Sequence, residues 1–212
     1  LITLDEAINY TSRNDLRYPA VRLVKDGLSI PLEDYTTNIT LGAHEFSSLM
    51  NHDKLSGALQ DGATIQFQYL QLAFNTLHNL CRDIGERYRM HIQANAYLTP
   101  PSSQGFSAHY DTHGVFILQI YGEKIWKVYE SFPFEFPLKE QRFDKDKWDT
   151  NQKADTILMR EGDFLYIPRG MVHEAYTSND LASFHVTMGI LPTNWMDIFR
   201  ELINSLESNR EF

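Results

Sequence analysis

The sequence has a single cysteine, Cys81, in 212 residues. An internal disulfide is therefore excluded, and the chain is compatible with a reducing cytoplasm. Nowhere do about 18 apolar residues run together, so no membrane-spanning helix is expected. The opening residues LITLDEAINY lack the basic and apolar segments of a secretory signal. They also lack an initiator Met, and a stretch of a longer protein is the expectation. Positive charge is scarce: 19 Lys and Arg stand against 28 Asp and Glu, a net charge of −9. So acidic a surface argues against nucleic acid as the main partner. It suits a cationic partner, or serves solubility alone. Internal repeats, low-complexity runs and Pro/Gly-rich linkers are also missing. What is plentiful is core material, with 42% hydrophobic residues, and the length fits one domain, or one domain plus a small appendage.

Residues 1–90 read as a mixed α/β part. Thr3-Leu-Asp-Glu6 has the form of a capping box opening a short helix. Ala20–Val24 reads as a strand closed by the turn Lys25-Asp26-Gly27. Between Gln66 and Gly85, the residues Leu70, Phe74, Leu77, Cys81 and Ile84 recur at helical spacing, which predicts an amphipathic helix stopped by Gly85. Cys81 lies in that stripe and is expected to be an inert core thiol. Residues 91–192 change texture to short β-rich runs: Gln93–Leu98, Val115–Ile120, Lys124–Tyr129, Thr156–Met159, Asp163–Ile167 and Ser183–Ile190. Close spacing of short strands predicts a sandwich or barrel. Glu130–Asp155 reads as a long exposed insertion that either covers a site or is structural. In residues 193–212, Thr193 or Asn194 caps a helix with Trp195, Ile198, Phe199, Leu202, Ile203 and Leu206 on one face. That face needs a partner surface, either the barrel or a second subunit.

The most informative stretch is Gly105-Phe-Ser-Ala-His-Tyr-Asp-Thr-His-Gly114. On a strand, residues two apart share a face, so His109 and Asp111 can reach one metal ion. One imidazole and one carboxylate form two-thirds of the facial triad that holds non-haem iron(II) and leaves positions open. A bare His-x-Asp is common by chance, so a third ligand is needed. His173, after Glu161-Gly-Asp-Phe-Leu-Tyr-Ile-Pro-Arg-Gly-Met-Val, is the preferred one, with His185 and His113 as rivals. His44, His52, His78 and His91 lie outside any constellation.

Three blocks in order carry a family resemblance: Asn95–His113, Leu118-Gln-Ile-Tyr-Gly-Glu-Lys-Ile-Trp126, and Ile167-Pro-Arg-Gly-Met-Val-His173. Together they resemble the JmjC-type cupin family that contains the ribosomal oxygenases, strongly over residues 90–190 and more loosely before. The resemblance implies a mainly β fold, a double-stranded β-helix (cupin or jelly-roll barrel) with flanking helices at both ends. It implies an iron(II)-, 2-oxoglutarate- and O2-dependent dioxygenase that hydroxylates an arginine or histidine side chain of a protein such as a ribosomal protein. It identifies His109, Asp111 and His173 as the metal ligands. Lys124 corresponds to the cation that receives the distal carboxylate of 2-oxoglutarate, which suits a point charge at the far side of a pocket. Asn95 and Tyr97 match positions lining that pocket, and Thr187 matches a hydroxyl assisting the same carboxylate. A homodimer, a cytoplasmic location, and no direct contact with nucleic acid or membrane complete the expectation. Two other readings stay open: a catalytically silent metal-binding cupin, and a cupin metalloenzyme acting on a small molecule.

Overall fold

The computed structural model describes residues 1–149, 151–178 and 180–208. In chain order the elements are α1 (Leu4–Thr11), β1 (Val21–Lys25), β2 (Leu28–Ser29), α2 (Leu32–Tyr35), β3 (Thr36–Leu41), β4 (His44–Met50), α3 (His52–Gln60), β5 (Thr64–Phe67), α4 (Asn75–Tyr88), β6 (His91–Thr99), β7 (Gly114–Tyr129), β8 (Ala154–Arg160), β9 (Phe164–Ile167), β10 (His173–Tyr176), β11 (Ser183–Leu191) and α5 (Trp195–Ser208). Local chemistry explains several boundaries. Thr3 and Glu6 cap α1 reciprocally. The turn after β1 places Asp26 and Gly27 at positive φ, and Asn194 accepts from the Asp197 N–H at 2.9 Å to open α5.

The main sheet runs β10-β7-β11-β6-β5-β1-β2, with β8 and β9 also paired to β7, while β3 and β4 form a separate hairpin. Every pairing is antiparallel, in keeping with the expected mainly β barrel. The alternation along the central strands decides what each side chain does. Ile65 and Phe67, Ala94, Ala96 and Leu98, and Phe184, Val186 and Met188 join one apolar cluster with Leu77 and Cys81 of α4 and Ala7 of α1. The intervening residues Thr64 and Gln66, Asn95, Tyr97 and Thr99, and His185 and Thr187 line a cavity on the other face. One face is thus core and the other is site.

Two expected elements differ from the sequence reading. The helix predicted over Gln66–Gly85 is shorter at its start and longer at its end. Residues 64–67 are fully buried strand between β1 and β6, a 3-10 turn spans Leu70–Leu72, and α4 starts only at Asn75. Gly85 does not stop the helix. It lies within α4, where a Cβ would stand 2.8 Å from the Met90 carbonyl oxygen, so it admits the returning chain after Arg89 at positive φ. The strands expected at Val115–Ile120 and Lys124–Tyr129 are one continuous β7. Its first half pairs with β9 and β11, and its second half with β8 and β10.

Gly122 is the joint between those halves. It has φ +66, beside a register shift in the pairing with β11 at Phe184/His185. The inward parity changes there: Val115 and Ile117 line the cavity before it, Lys124 and Trp126 after it. A Cβ on Gly122 would fall 1.8 Å from the Ala182 carbonyl oxygen. Gly122→Ala is therefore expected to destabilise the fold by about 2–4 kcal/mol through backbone strain and clash. Urea unfolding measures this, and a midpoint equal to wild type would contradict the assigned role.

Candidate metal centre

His109 and Asp111 were expected on a regular strand, and the structure corrects this. Residues 106–113 are irregular apart from a single bridge pairing His109 with His173. The reason is the lack of a continuous partner, since β10 starts at His173 and its register continues along Val128–Ile125 of β7. The bridge itself is complete: the His109 N–H donates to the His173 carbonyl at 3.0 Å, and the His173 N–H donates back at 2.8 Å. The Pro168-Arg169-Gly170 turn precedes it. Gly170 has φ +84 and donates its N–H to the Asp111 carbonyl at 3.0 Å. Candidate ligands 64 residues apart in sequence are thereby joined through the backbone.

The two imidazole rings lie 4.5 Å apart between centroids. Each Nδ1 faces the carbonyl two residues earlier, Ser107 at 2.8 Å and Met171 at 3.0 Å. These carbonyls can only accept, which places the proton on Nδ1 and leaves the Nε2 lone pair for a cation. His173 Nε2 stands 3.8 Å from Asp111 Oδ2, and candidate ligand atoms of His109, Asp111 and His173 all lie within 4.8 Å of one another. Burial, reinforced by His109, brings the His173 imidazole down to about 4. Burial pushes the Asp111 carboxyl up, but the surrounding His109, His173 and His113 outweigh it and hold the carboxyl below its usual range. A neutral imidazole and an ionised carboxylate are the forms that bind a divalent metal. The donor set fits iron(II), with two nitrogens and one oxygen on one side.

The rivals stand elsewhere. His113 packs against β11, its Nε2 2.6 Å from where a Cβ on Gly189 would be. His185 stacks on Tyr97 at 4.9 Å. Both line the cavity without joining the cluster.

That cavity encloses about 300 Å³ and is lined by every site residue the sequence nominated: His109, Asp111, His173, Lys124, Asn95, Tyr97 and Thr187. Lys124 is its most informative member. The side chain is 3% exposed, and Nζ donates to Thr99 Oγ1 at 2.7 Å. Thr64 donates in turn to Thr99 at 3.0 Å. Among the described residues Lys124 makes no ion pair, and burial lowers its ammonium to about 7. An unpaired buried cation is costly, and a bound anion is the usual compensation. Gln66 donates to the Tyr97 hydroxyl at 3.2 Å, and burial raises that phenol above its ordinary range, so it stays neutral. Asn95 Oδ1 accepts from both Tyr69 N and Gln93 Nε2, each at 3.1 Å.

Sequence reasoning missed Thr64, Gln66, Gln68, Gln93 and Thr99. Thr99 was within reach, because it continues the two-residue alternation Asn95, Tyr97, Thr99. Gln66 was masked by the helical reading of its segment.

Comparison with known proteins bears on the family and the fold. The JmjC domain profile matches residues 69–198. The chain is 33% identical over 163 residues to the bifunctional lysine-specific demethylase and histidyl-hydroxylase NO66 of Drosophila persimilis, covering 73% of this chain and 23% of that protein. The Dictyostelium discoideum NO66 is 30% identical over 147 residues, covering 68% and 29%. The chain thus spans about a quarter of the length of these curated relatives. In fold it is similar to the Escherichia coli ribosomal oxygenase YcfD solved with cobalt and 2-oxoglutarate, with a TM-score of 0.63, 19% identity, and 99% of this chain and 49% of that one covered.

Substitution tests the ligand assignment. His109→Ala, Asp111→Ala and His173→Ala are each expected to abolish stoichiometric binding of iron(II) or manganese(II), measured by metal analysis after gel filtration. His185→Ala is expected to retain the metal. The reverse pattern for His173 and His185 would overturn the assignment.

Proposed function

Because the chain belongs to the JmjC domain family, we propose that it is an iron(II)- and 2-oxoglutarate-dependent dioxygenase that hydroxylates a protein side chain. The observation that carries this reading is Lys124, a buried ammonium without a carboxylate partner in the cavity that holds the metal triad. A silent metal-binding cupin has no need of that charge. A five-carbon diacid does, since one end chelates the metal and the other requires a fixed cation.

In this reading His109, Asp111 and His173 hold the metal, and Lys124 with Thr99 receives the distal carboxylate. Iron(II), 2-oxoglutarate and O2 supply the oxidising chemistry, with succinate and CO2 as by-products. The protein's own part is to position groups and exclude water. Thr187, Tyr97 and Asn95 form the polar wall beside these groups. Histidine is favoured over arginine as the target side chain. Among the described residues the cavity lining offers no carboxylate other than Asp111 to a guanidinium, and Lys124 adds positive charge. It offers amides instead. Asn95 Oδ1 is already engaged twice and its side chain also meets Tyr97, while among the described residues Gln68 Nε2 has no partner. A neutral imidazole can be bound by such groups. The histidyl-hydroxylase activity named for the NO66 relatives supports this choice, and the likeness to YcfD supports a ribosomal protein as target.

Residues 91–192 are proposed as the catalytic core, residues 1–90 as its support, and residues 193–212 as an assembly element, of which 209–212 lie outside the described residues. No described helix is long and apolar enough to cross a membrane. A cytoplasmic location is proposed from the lone, buried Cys81, and protein rather than nucleic acid as the partner from the net charge of −9. The apolar stripe of α5 is not covered by the barrel: Trp195, Ile198, Phe199, Leu202, Ile203 and Leu206 are all exposed. A homodimer through this face is expected by light scattering, and Leu202→Glu is expected to yield a monomer. A monomeric unmutated protein would remove the idea.

Succinate formation at varied 2-oxoglutarate concentration tests the main reading, with histidine- and arginine-bearing peptides screened by mass spectrometry for the gain of one oxygen atom. Lys124→Ala is expected to weaken 2-oxoglutarate by about one to two orders of magnitude while metal binding survives, and Lys124→Arg to recover part of the loss. The ammonium form is the one that binds a carboxylate. As pH rises above about 7 the free protein loses that proton, so 2-oxoglutarate affinity is expected to fall, by up to about tenfold per pH unit. Unchanged concentration dependence in Lys124→Ala would show that the distal carboxylate is held elsewhere.

A further inference from the structure

Six rings lining the cavity form a closed circuit of contacts. His109 meets His173 at 4.5 Å, His173 meets Trp126 at 5.9 Å, and Trp126 meets His185 at 5.4 Å. His185 then stacks on Tyr97 at 4.9 Å, Tyr97 meets Phe106 at 5.9 Å, and Phe106 returns to His109 at 5.6 Å. The pair His109 and His173 belongs to the metal cluster. The pair His185 and Tyr97 stands on the opposite side of the circuit. Tyr97 is committed there through Gln66. His185 is not.

His185 is 4% exposed, and neither of its ring nitrogens makes a hydrogen bond among the described residues. Its Nδ1 is enclosed without a partner, so a proton there would meet no acceptor. The proton is better placed on Nε2, the nitrogen that is not enclosed, on a ring that lines the cavity. Burial, and after it the neighbouring Lys124 charge, keep this imidazole neutral, so it presents one N–H to the cavity that Lys124 also lines. A buried polar group left unpaired costs free energy unless a ligand supplies the partner.

We propose that His185 is a positioning residue for the co-substrate, donating its Nε2–H to the distal carboxylate that Lys124 neutralises. This rests on the 2-oxoglutarate reading above. Lys124 supplies charge, and three freely turning donors on a flexible stem fix no direction. His185 adds a rigid donor held by the Tyr97 stack and the Trp126 edge. Two donors of different kind on one carboxylate select a diacid over a 2-oxo acid with an uncharged tail.

The test compares binding of 2-oxoglutarate and 2-oxobutyrate, which lacks the distal carboxylate, to manganese-loaded full chain by isothermal titration calorimetry. His185→Phe keeps a ring on Tyr97 and deletes both nitrogens, while His185→Gln returns an amide N–H near the Nε2 position. His185→Phe is expected to weaken 2-oxoglutarate about tenfold, to leave 2-oxobutyrate unchanged, and to retain manganese. His185→Gln is expected to recover most of the loss and supplies the comparison if the phenylalanine variant folds poorly. Equal loss for both acids, or none for either, would overturn the proposal. Unmutated protein that takes up manganese yet binds neither acid would overturn it together with the co-substrate reading, and so differs from a failure confined to His185.

Discussion

The reciprocal backbone hydrogen bonds between His109 and His173 tie an irregular segment to the first residue of a strand. The first segment has no continuous pairing of its own, whereas the second is paired in unbroken register. Beyond His173 the strand continues along β7 from Val128 to Ile125, so the metal cluster is referenced to the same strand that carries Lys124 and Trp126. On the other side, the Gly170 N–H on the Asp111 carbonyl fixes the approach of the Pro168–Gly170 turn. Backbone bonds tolerate side-chain change nearby, which suits a centre whose ligands must remain in place while ligands exchange.

Charge is the second organising quantity. The cavity holds one carboxylate, in the metal cluster, and one ammonium on β7, with the Thr64 and Thr99 hydroxyls behind it. Each is costly in isolation and each calls for a partner of opposite sign. Under the proposed function, a divalent metal and a diacid would supply both partners at once. On that same reading, the buried lysine and the uncommitted imidazole of His185 are satisfied by binding rather than by folding.

Much of this was legible in the chain. The Thr3/Glu6 box, the turn at Gly27 and the α5 cap involve residues close in sequence, where local chemistry decides structure. The His-x-Asp and Pro-Arg-Gly-Met-Val-His stretches nominated the three residues that the structure brings together, although the strand expected under His109 and Asp111 is absent and a single bridge does its work. The reading failed where tertiary pairing overrides local pattern. Gln66 and Phe67 fit a helical stripe, yet they lie between two strands whose registers they complete. Nor does spacing alone reveal that the inward parity of β7 reverses before Lys124, because that depends on the register against β11, which pairs Phe184 with Tyr121 but His185 with Gln119. His185 shows the same limit. As a sequence feature it was a rival ligand, and only the ring contacts place it away from the metal.

The central claim is that one cavity binds a metal through His109, Asp111 and His173 while Lys124 anchors the far end of a 2-oxo diacid. Anaerobic titration of the iron(II)-loaded protein with 2-oxoglutarate tests this most directly, because chelation of iron(II) by a 2-oxo acid produces a visible charge-transfer band. The account predicts a saturable band of one equivalent. In Lys124→Ala the same band is expected, reached only at much higher concentration. Iron(II) bound at full stoichiometry with no such band at any 2-oxoglutarate concentration would contradict the account.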